Sequence, residues 1–127
     1  MYKLLIIGLG GFVGTVLRYG LGGFFQSISK SYSFPYGTLA VNLIGCFVIG
    51  LLSQLTEARG LFSQETRLFI FIGVLGAFTT FSTFGSETVN LLRNGENALS
   101  LLNVGAHIFI GLFAVWLGRV VGLLVWR

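Results

Sequence analysis

An all-α membrane protein of four transmembrane helices is the fold class this sequence predicts, and three observations predict it. Only 9% of the 127 residues are charged while 54% are hydrophobic, too few charges to coat a soluble domain of that size. The apolar residues fall in four runs, each long enough to cross a hydrocarbon core of roughly 30 Å at about 1.5 Å per residue. Short polar links separate the runs, and residues 1–127 read as a single four-helix transmembrane domain.

Leu4 to Phe25 is the first run, with Arg18 as its one charge. A cleaved signal peptide competes for this segment, but the run is too long for a typical signal core and a multi-span pattern follows. Gln26 to Phe34 is polar, carries Lys30 and forms the first loop; Pro35 then stands where a helix start tolerates it. The second run, from about Tyr36 to Leu55, holds Asn42 as its strongly polar side chain. Glu57 and Arg59 mark its exit to water, and Gly60 closes it. Ser63, Gln64 and Glu65 supply N-cap and first-turn chemistry for a third run, from near Arg67 to about Leu92. Arg93 to Asn97 is a compact turn, and the fourth run extends from about Leu99 to Val125 around His107.

Four spans place both termini on one side of the membrane. Lys3, Arg59, Arg67, Arg119 and Arg127 fall on that side, and Lys30 and Arg93 on the other, joined by Arg18 if it snorkels that way. This five-to-three split is a weak bias that permits insertion in both orientations. The basic residues form no stripe, which argues against nucleic acid as a partner, and the net charge of +4 suits anionic headgroups equally well. Cys46 is the sole cysteine, so an intrachain disulfide and a Cys-based zinc site are excluded; it reads as a small packing residue.

The third run contains the chain's compositional anomaly. Gly73 to Phe84 places two glycines, four hydroxyls and three phenylalanines in an otherwise apolar span. Lipid cannot satisfy hydroxyls and loosened backbone, so such a segment predicts a broken helix lining a pathway. The plainer alternative, carrying equal weight, has the hydroxyls bonding back to i−4 carbonyls while the phenylalanines pack. If Gly76 to Thr79 is non-helical, its carbonyls lose their i+4 donors and present oxygens suited to a hard cation such as Na+.

Glycine recurs at Gly10 and Gly14 and at Gly118 and Gly122, spacings that let helices approach closely. A dinucleotide-binding turn over Leu4 to Gly14 fails, because Val13 stands where the third glycine belongs and no acidic residue follows.

Four short helices enclose little space, so a homodimer is the minimal way to enclose a pathway. Its candidate lining is Arg18, Thr38, Asn42, the cluster Thr79, Thr80, Ser82 and Thr83, Glu87 and His107. Asn42 donates two hydrogen bonds and each hydroxyl one. Phe81 and Phe84, three residues apart on one side of a resumed helix, present positive ring edges to an anion. With no acidic side chain near the middle of the first two spans, this composition favours a small anion over a cation.

Gly73 to Phe84, Gly37-Thr38-Leu39-Ala40-Val41-Asn42-Leu43-Ile44-Gly45 and Gly10-Gly11-Phe12-Val13-Gly14-Thr15-Val16-Leu17-Arg18-Tyr19, in that arrangement along a four-span chain, together resemble the Fluc (CrcB-type) family of fluoride channels. The resemblance covers essentially the whole chain. It implies an antiparallel, dual-topology homodimer in the cytoplasmic membrane of a prokaryote, with two narrow pores that export fluoride passively and relieve its toxicity. Carried over by position, Asn42 would donate to fluoride, Phe81 and Phe84 would line the pore, and Thr80, Ser82 or Thr83 would add a polar track. Gly76 and Thr79 would offer backbone carbonyls to a structural Na+ at the dimer interface, and Arg18 would lie in a vestibule.

The chain departs from the family pattern in two places. Gly111 and Val115 stand where family members often carry Ser or Thr, and Gly85 replaces a serine ahead of the retained Glu87. Glu87 and His107 are further pathway candidates, each with a plainer reading, as a solvated residue near a helix exit and as a packed or interface histidine. A small dual-topology multidrug exporter would share the size and charge bias, but it needs a membrane-embedded carboxylate, and the first two spans have none before Glu57. A non-transporting accessory subunit would leave the third-run cluster unexplained. No nucleophile, base and orienting group form a constellation, so an enzyme is not expected.

Overall fold

The structure, a computed structural model, describes residues 1–125. Four helices are long and apolar enough to cross a membrane: α1 (Tyr2–Ser29), α2 (Tyr36–Arg59), α3 (Gln64–Arg93) and α4 (Asn97–Val125). They match the four predicted runs, with extended ends. α3 begins at Gln64 rather than near Arg67, because Ser63 Oγ accepts the Thr66 N–H at 3.2 Å and caps the helix a turn earlier. α1 continues past Phe25, so Gln26 lies on the helix and not in the loop. Its Nε2 donates to the Ser31 and Phe34 carbonyls, and its Oε1 accepts the Gly37 N–H at 2.9 Å. One side chain thus ties the loop down and answers an orphan donor at the start of α2, where Pro35 offers no side-chain cap. Gly60 ends α2 in the left-handed region, φ 58°, with its N–H returned to the Thr56 carbonyl.

Three side-chain pairs show that the helices run up and down. At the end that carries Met1, the Tyr2 hydroxyl donates to Glu65 on α3 and Arg119 on α4 pairs with Glu57 on α2. At the opposite end the Thr38 hydroxyl donates to Glu87 at 2.7 Å. Lys3, Arg59, Arg67 and Arg119 share the first end, as the charge count expected, while Arg127 lies outside the described residues.

Missing side chains set the helix spacing. A Cβ at Gly10 or Gly14 would run into the backbone carbonyl of Phe69 or Val74, so these two glycines seat α1 directly on the first half of α3. Gly50 and Gly118 do the same between α2 and α4, against Val115 and Phe47 carbonyls. The glycine pairs expected to serve packing are therefore spent within the chain. Close backbone contact leaves a small core: Val41, Leu75, Phe78, Leu91 and Ala106 are buried, while Leu4, Leu5, Leu9, Phe12 and Val16 of α1 are exposed, as suits a lipid-facing surface.

Two wide π-helical turns, Leu68–Leu75 in α3 and Ala106–Ile110 in α4, have no counterpart in the sequence reading. Each sits just ahead of or around residues of the site described next.

Candidate site around Asn42 and Thr80

After the helical turn Gly76–Phe78, two residues of α3 are extended, Thr79 (φ −86°, ψ 155°) and Thr80 (φ −150°, ψ 110°), before the helix resumes as Phe81–Arg93. The non-helical stretch expected at Gly76 to Thr79 therefore begins at Thr79. The Thr79 N–H and hydroxyl both return to the Leu75 carbonyl, at 3.1 and 3.0 Å, and close the last turn. The Thr80 N–H, which a continuous helix would give to the Gly76 carbonyl, instead donates to Asn42 Oδ1 at 2.8 Å. Asn42 Nδ2 in turn donates to the Thr80 carbonyl at 3.1 Å. A side-chain amide on α2 thus substitutes for the ladder that α3 gives up.

Gly45 lies one turn along from Asn42 on α2, and a Cβ there would collide with Thr79 Cγ2. The absent side chain is what allows Thr79 to sit against α2. Thr80 also caps the resumed helix: its hydroxyl oxygen accepts the Thr83 N–H and its hydroxyl donates to Thr83 Oγ1 at 2.9 Å. Of the two readings weighed for these hydroxyls, back-bonding to the i−4 carbonyl describes Thr79. Thr79 is committed to Leu75 and Thr80 to Thr83, which leaves the exposed Ser82 and the Thr83 hydroxyl with a proton to donate.

The rings meet at the same place. Phe81 and Phe84 lie 5.5 Å apart between centroids, and Phe84 lies 4.2 Å from His107 at an interplanar angle of 39°. His107 Nε2 is 3.1 Å from Asn42 Nδ2, so α4 contributes a residue that touches both Asn42 and Phe84. Asn42, Thr79, Thr80, Phe81, Phe84 and His107 line one cavity of about 530 Å³ between α2, α3 and α4. Among the described residues, its remaining wall carries no Asp, Glu, Lys or Arg.

Five of the sequence candidates, Arg18, Thr38, Ser82, Thr83 and Glu87, lie apart from this cavity. Arg18 is half-buried on α1 and makes no hydrogen bond or ion pair among the described residues. Thr38, one turn before Asn42 on α2, pairs with Glu87, one turn beyond Phe84 on α3, and Glu87 Oε2 is buried without a partner among the described residues. Gly76, one turn before the extended residues, also lines the cavity and is exposed. Phe81 is 82% exposed, so its ring stands out from the chain while touching Phe84.

Sequence reasoning missed the polar seam behind His107. Ser100 Oγ donates to the Thr88 carbonyl at 3.1 Å, and Asn103 Nδ2 donates to the Thr88 hydroxyl at 3.0 Å. Asn103 is fully buried, and its backbone carbonyl lies 2.9 Å from His107 Nδ1. Ser100, Asn103 and His107 occupy one face of α4 at spacings of three and four residues, a pattern that was present in the sequence.

A family model described as "CrcB-like protein, Camphor Resistance (CrcB)" matches residues 5–119. The chain belongs to the CrcB family. Among similar proteins, the fluoride-specific ion channel FluC 1 of Methanosarcina acetivorans is 48% identical over 120 residues, 94% of this chain and 90% of that relative. A FluC channel of Thermus thermophilus is 47% identical over 122 residues, 96% of each chain. That of Parabacteroides distasonis is 46% identical, covering 96% of this chain and 94% of the relative.

In this CrcB-family chain the cavity wall beyond His107 is apolar. Gly111 and Val115 both line it and neither brings a hydroxyl, while Cys46, one turn from Asn42, faces Gly111. Cys46 is thus a wall residue as well as the packing residue that was expected.

Proposed function

We propose that the chain is a fluoride-selective channel, one half of an antiparallel homodimer with two pores, that lets fluoride leave the cell passively through the cytoplasmic membrane. The observation that carries this reading is the convergence of Asn42, Phe81, Phe84 and Thr80 on one cavity whose wall, among the described residues, has no carboxylate. Such a lining offers N–H donors and ring edges to an anion and nothing to balance a cation, which disfavours the drug-exporter alternative. Membership of a family whose relatives are named fluoride-specific ion channels agrees with it.

A second copy of the chain suits the exposed Phe81 ring and the exposed backbone at Gly76. In that assembly the Gly76 and Thr79 carbonyls would hold Na+; their donor chemistry fits a hard cation, and the Thr80 N–H is already engaged elsewhere. The ion would supply positive charge that ties the two chains together. Arg18 would face a vestibule, and Ser82 and Thr83 would pass the anion towards the phenylalanine pair.

Purified protein reconstituted in liposomes tests the reading, with fluoride and chloride efflux compared under a potassium gradient with valinomycin. The expected outcome is rapid fluoride efflux and chloride efflux near background. Equal efflux of the two ions, or no fluoride efflux, would overturn it.

A further inference from the structure

Counting protons around Asn42 leads to a role for His107, and the inference rests on the fluoride-channel reading above. The Asn103 carbonyl can only accept, so His107 Nδ1, 2.9 Å away, carries a hydrogen. Asn42 is fixed in orientation by Thr80, whose N–H requires Oδ1 on one side and whose carbonyl requires Nδ2 on the other. The atom that Asn42 turns towards His107 is therefore an N–H donor, 3.1 Å from Nε2. A second hydrogen on the imidazole would set donor against donor, so Nε2 is bare and accepts. Both N–H bonds of Asn42 are then occupied, one by the Thr80 carbonyl and one by His107.

We propose that His107 is a positioning residue of the pathway: as the neutral Nδ1–H tautomer it is the resident acceptor for Asn42, and fluoride gains an Asn42 N–H only by taking it from the imidazole. Between ions, the imidazole accepts the one Asn42 N–H that Thr80 does not take. When an ion arrives, the competing acceptor weakens its hold, which suits a pathway where binding must be loose enough for exit. The Phe84 ring lies 4.2 Å from the imidazole, so the acceptor of Asn42 and a ring of the pathway are packed against each other.

His107→Leu removes the acceptor and His107→Gln restores one. In liposome efflux at graded potassium fluoride, His107→Leu should lower the half-saturating fluoride concentration about fivefold while also lowering maximal flux, the effect of one hydrogen bond of competition. His107→Gln should return both towards the original values. An unchanged or raised half-saturating concentration in a conducting His107→Leu protein overturns the proposal and leaves the channel reading intact, whereas a lack of fluoride flux in the unaltered protein overturns that reading itself.

Because His107 is the only histidine, 15N-histidine labelling of the untagged protein gives a second and independent readout. The nitrogen shifts should report a protonated Nδ1 and a bare, hydrogen-bonded Nε2, with Nε2 moving as potassium fluoride is added. A protonated Nε2, or an Nε2 signal indifferent to saturating fluoride in protein that conducts, overturns the proposal.

Discussion

Asn42 holds both backbone polar groups of Thr80, its Nδ2 donating to the carbonyl at 3.1 Å and its Oδ1 accepting the N–H at 2.8 Å. The two groups lie 38 residues away in sequence and on another helix. Asn42→Asp divides this pairing, since the carboxylate still accepts the N–H but turns an oxygen towards the Thr80 carbonyl and towards any anion. Fluoride efflux should fall at least about tenfold, which corresponds to ~1.4 kcal/mol. Efflux within about twofold of the original protein, for material with the same elution on size exclusion, would remove Asn42 from the pathway.

Phe81 separates folding from conduction because its ring is 82% exposed and carries little of the core. Phe81→Ile keeps the bulk and removes the ring edge. Efflux is expected to drop about tenfold or more, the scale of one favourable ring interaction, while the thermal midpoint stays within about 2 °C. Unaltered efflux would eliminate the aromatic-edge role.

Gly45 and Thr79 form a steric pair. Gly45→Ala pushes a methyl into Thr79 Cγ2, so overpacking of about 1–3 kcal/mol and displacement of the extended residues are expected. Thr79→Ser keeps the hydroxyl bond to Leu75 and removes the colliding methyl, and combining the two substitutions should recover most of the lost stability. Thermal denaturation in detergent and efflux measured on the same preparations check this; a double variant no better than Gly45→Ala would show that the damage lies elsewhere.

At Gly111 there is room for a hydroxymethyl group, because an added Cβ would lie 3.7 Å from Cys46 Sγ, an ordinary contact. Gly111→Ser places a donor on the cavity wall one turn beyond His107. Faster fluoride efflux, by about two- to fivefold, is the expected result of one added hydrogen bond to a passing anion, with chloride still excluded. A fall in efflux would mean that this part of the wall is not on the route.

If Gly76 and Thr79 hold Na+, replacing sodium by N-methyl-D-glucamine throughout purification should lower efflux and weaken the dimer on size exclusion. Readdition of sodium chloride should restore both. Indifference of both measurements to sodium removes the proposed cation from the interface.

The spans were legible because lipid imposes a length and a composition, and the close of α2 because Gly60 has a local job that depends on a few neighbours; Ser63 was legible as a cap, though α3 starts directly after it and not near Arg67. Gly73 to Phe84 announced itself by holding polar groups where lipid offers no partner. What it bonded to was hidden. The choice between back-bonding and pathway depended on each hydroxyl separately, with Thr79 turned to Leu75 and Thr80 turned to a cap, and only the placement of α2 beside α3 decided it. The two π-helical turns likewise follow from packing, and nothing in Leu68–Leu75 or Ala106–Ile110 marks them in composition. His107 stands in the sequence as a pathway candidate beside a plainer packed or interface reading, because a lone histidine carries no pattern; its alignment with Ser100 and Asn103 was the available clue.

The partnership of Thr80 with Asn42 also constrains biogenesis. Alone in a bilayer, the third segment would expose an N–H and a carbonyl to lipid, at a cost of several kcal/mol, and these groups find their acceptor and donor only on the second segment. Synthesis delivers α2 first, so the emerging α3 can be received by a neighbour already holding the complementary amide. Membrane integration of α3 should then depend on what precedes it: glycosylation mapping in microsomes is expected to show less efficient insertion of α3 after Asn42→Leu, although the substitution lies in a different segment and makes that segment more apolar.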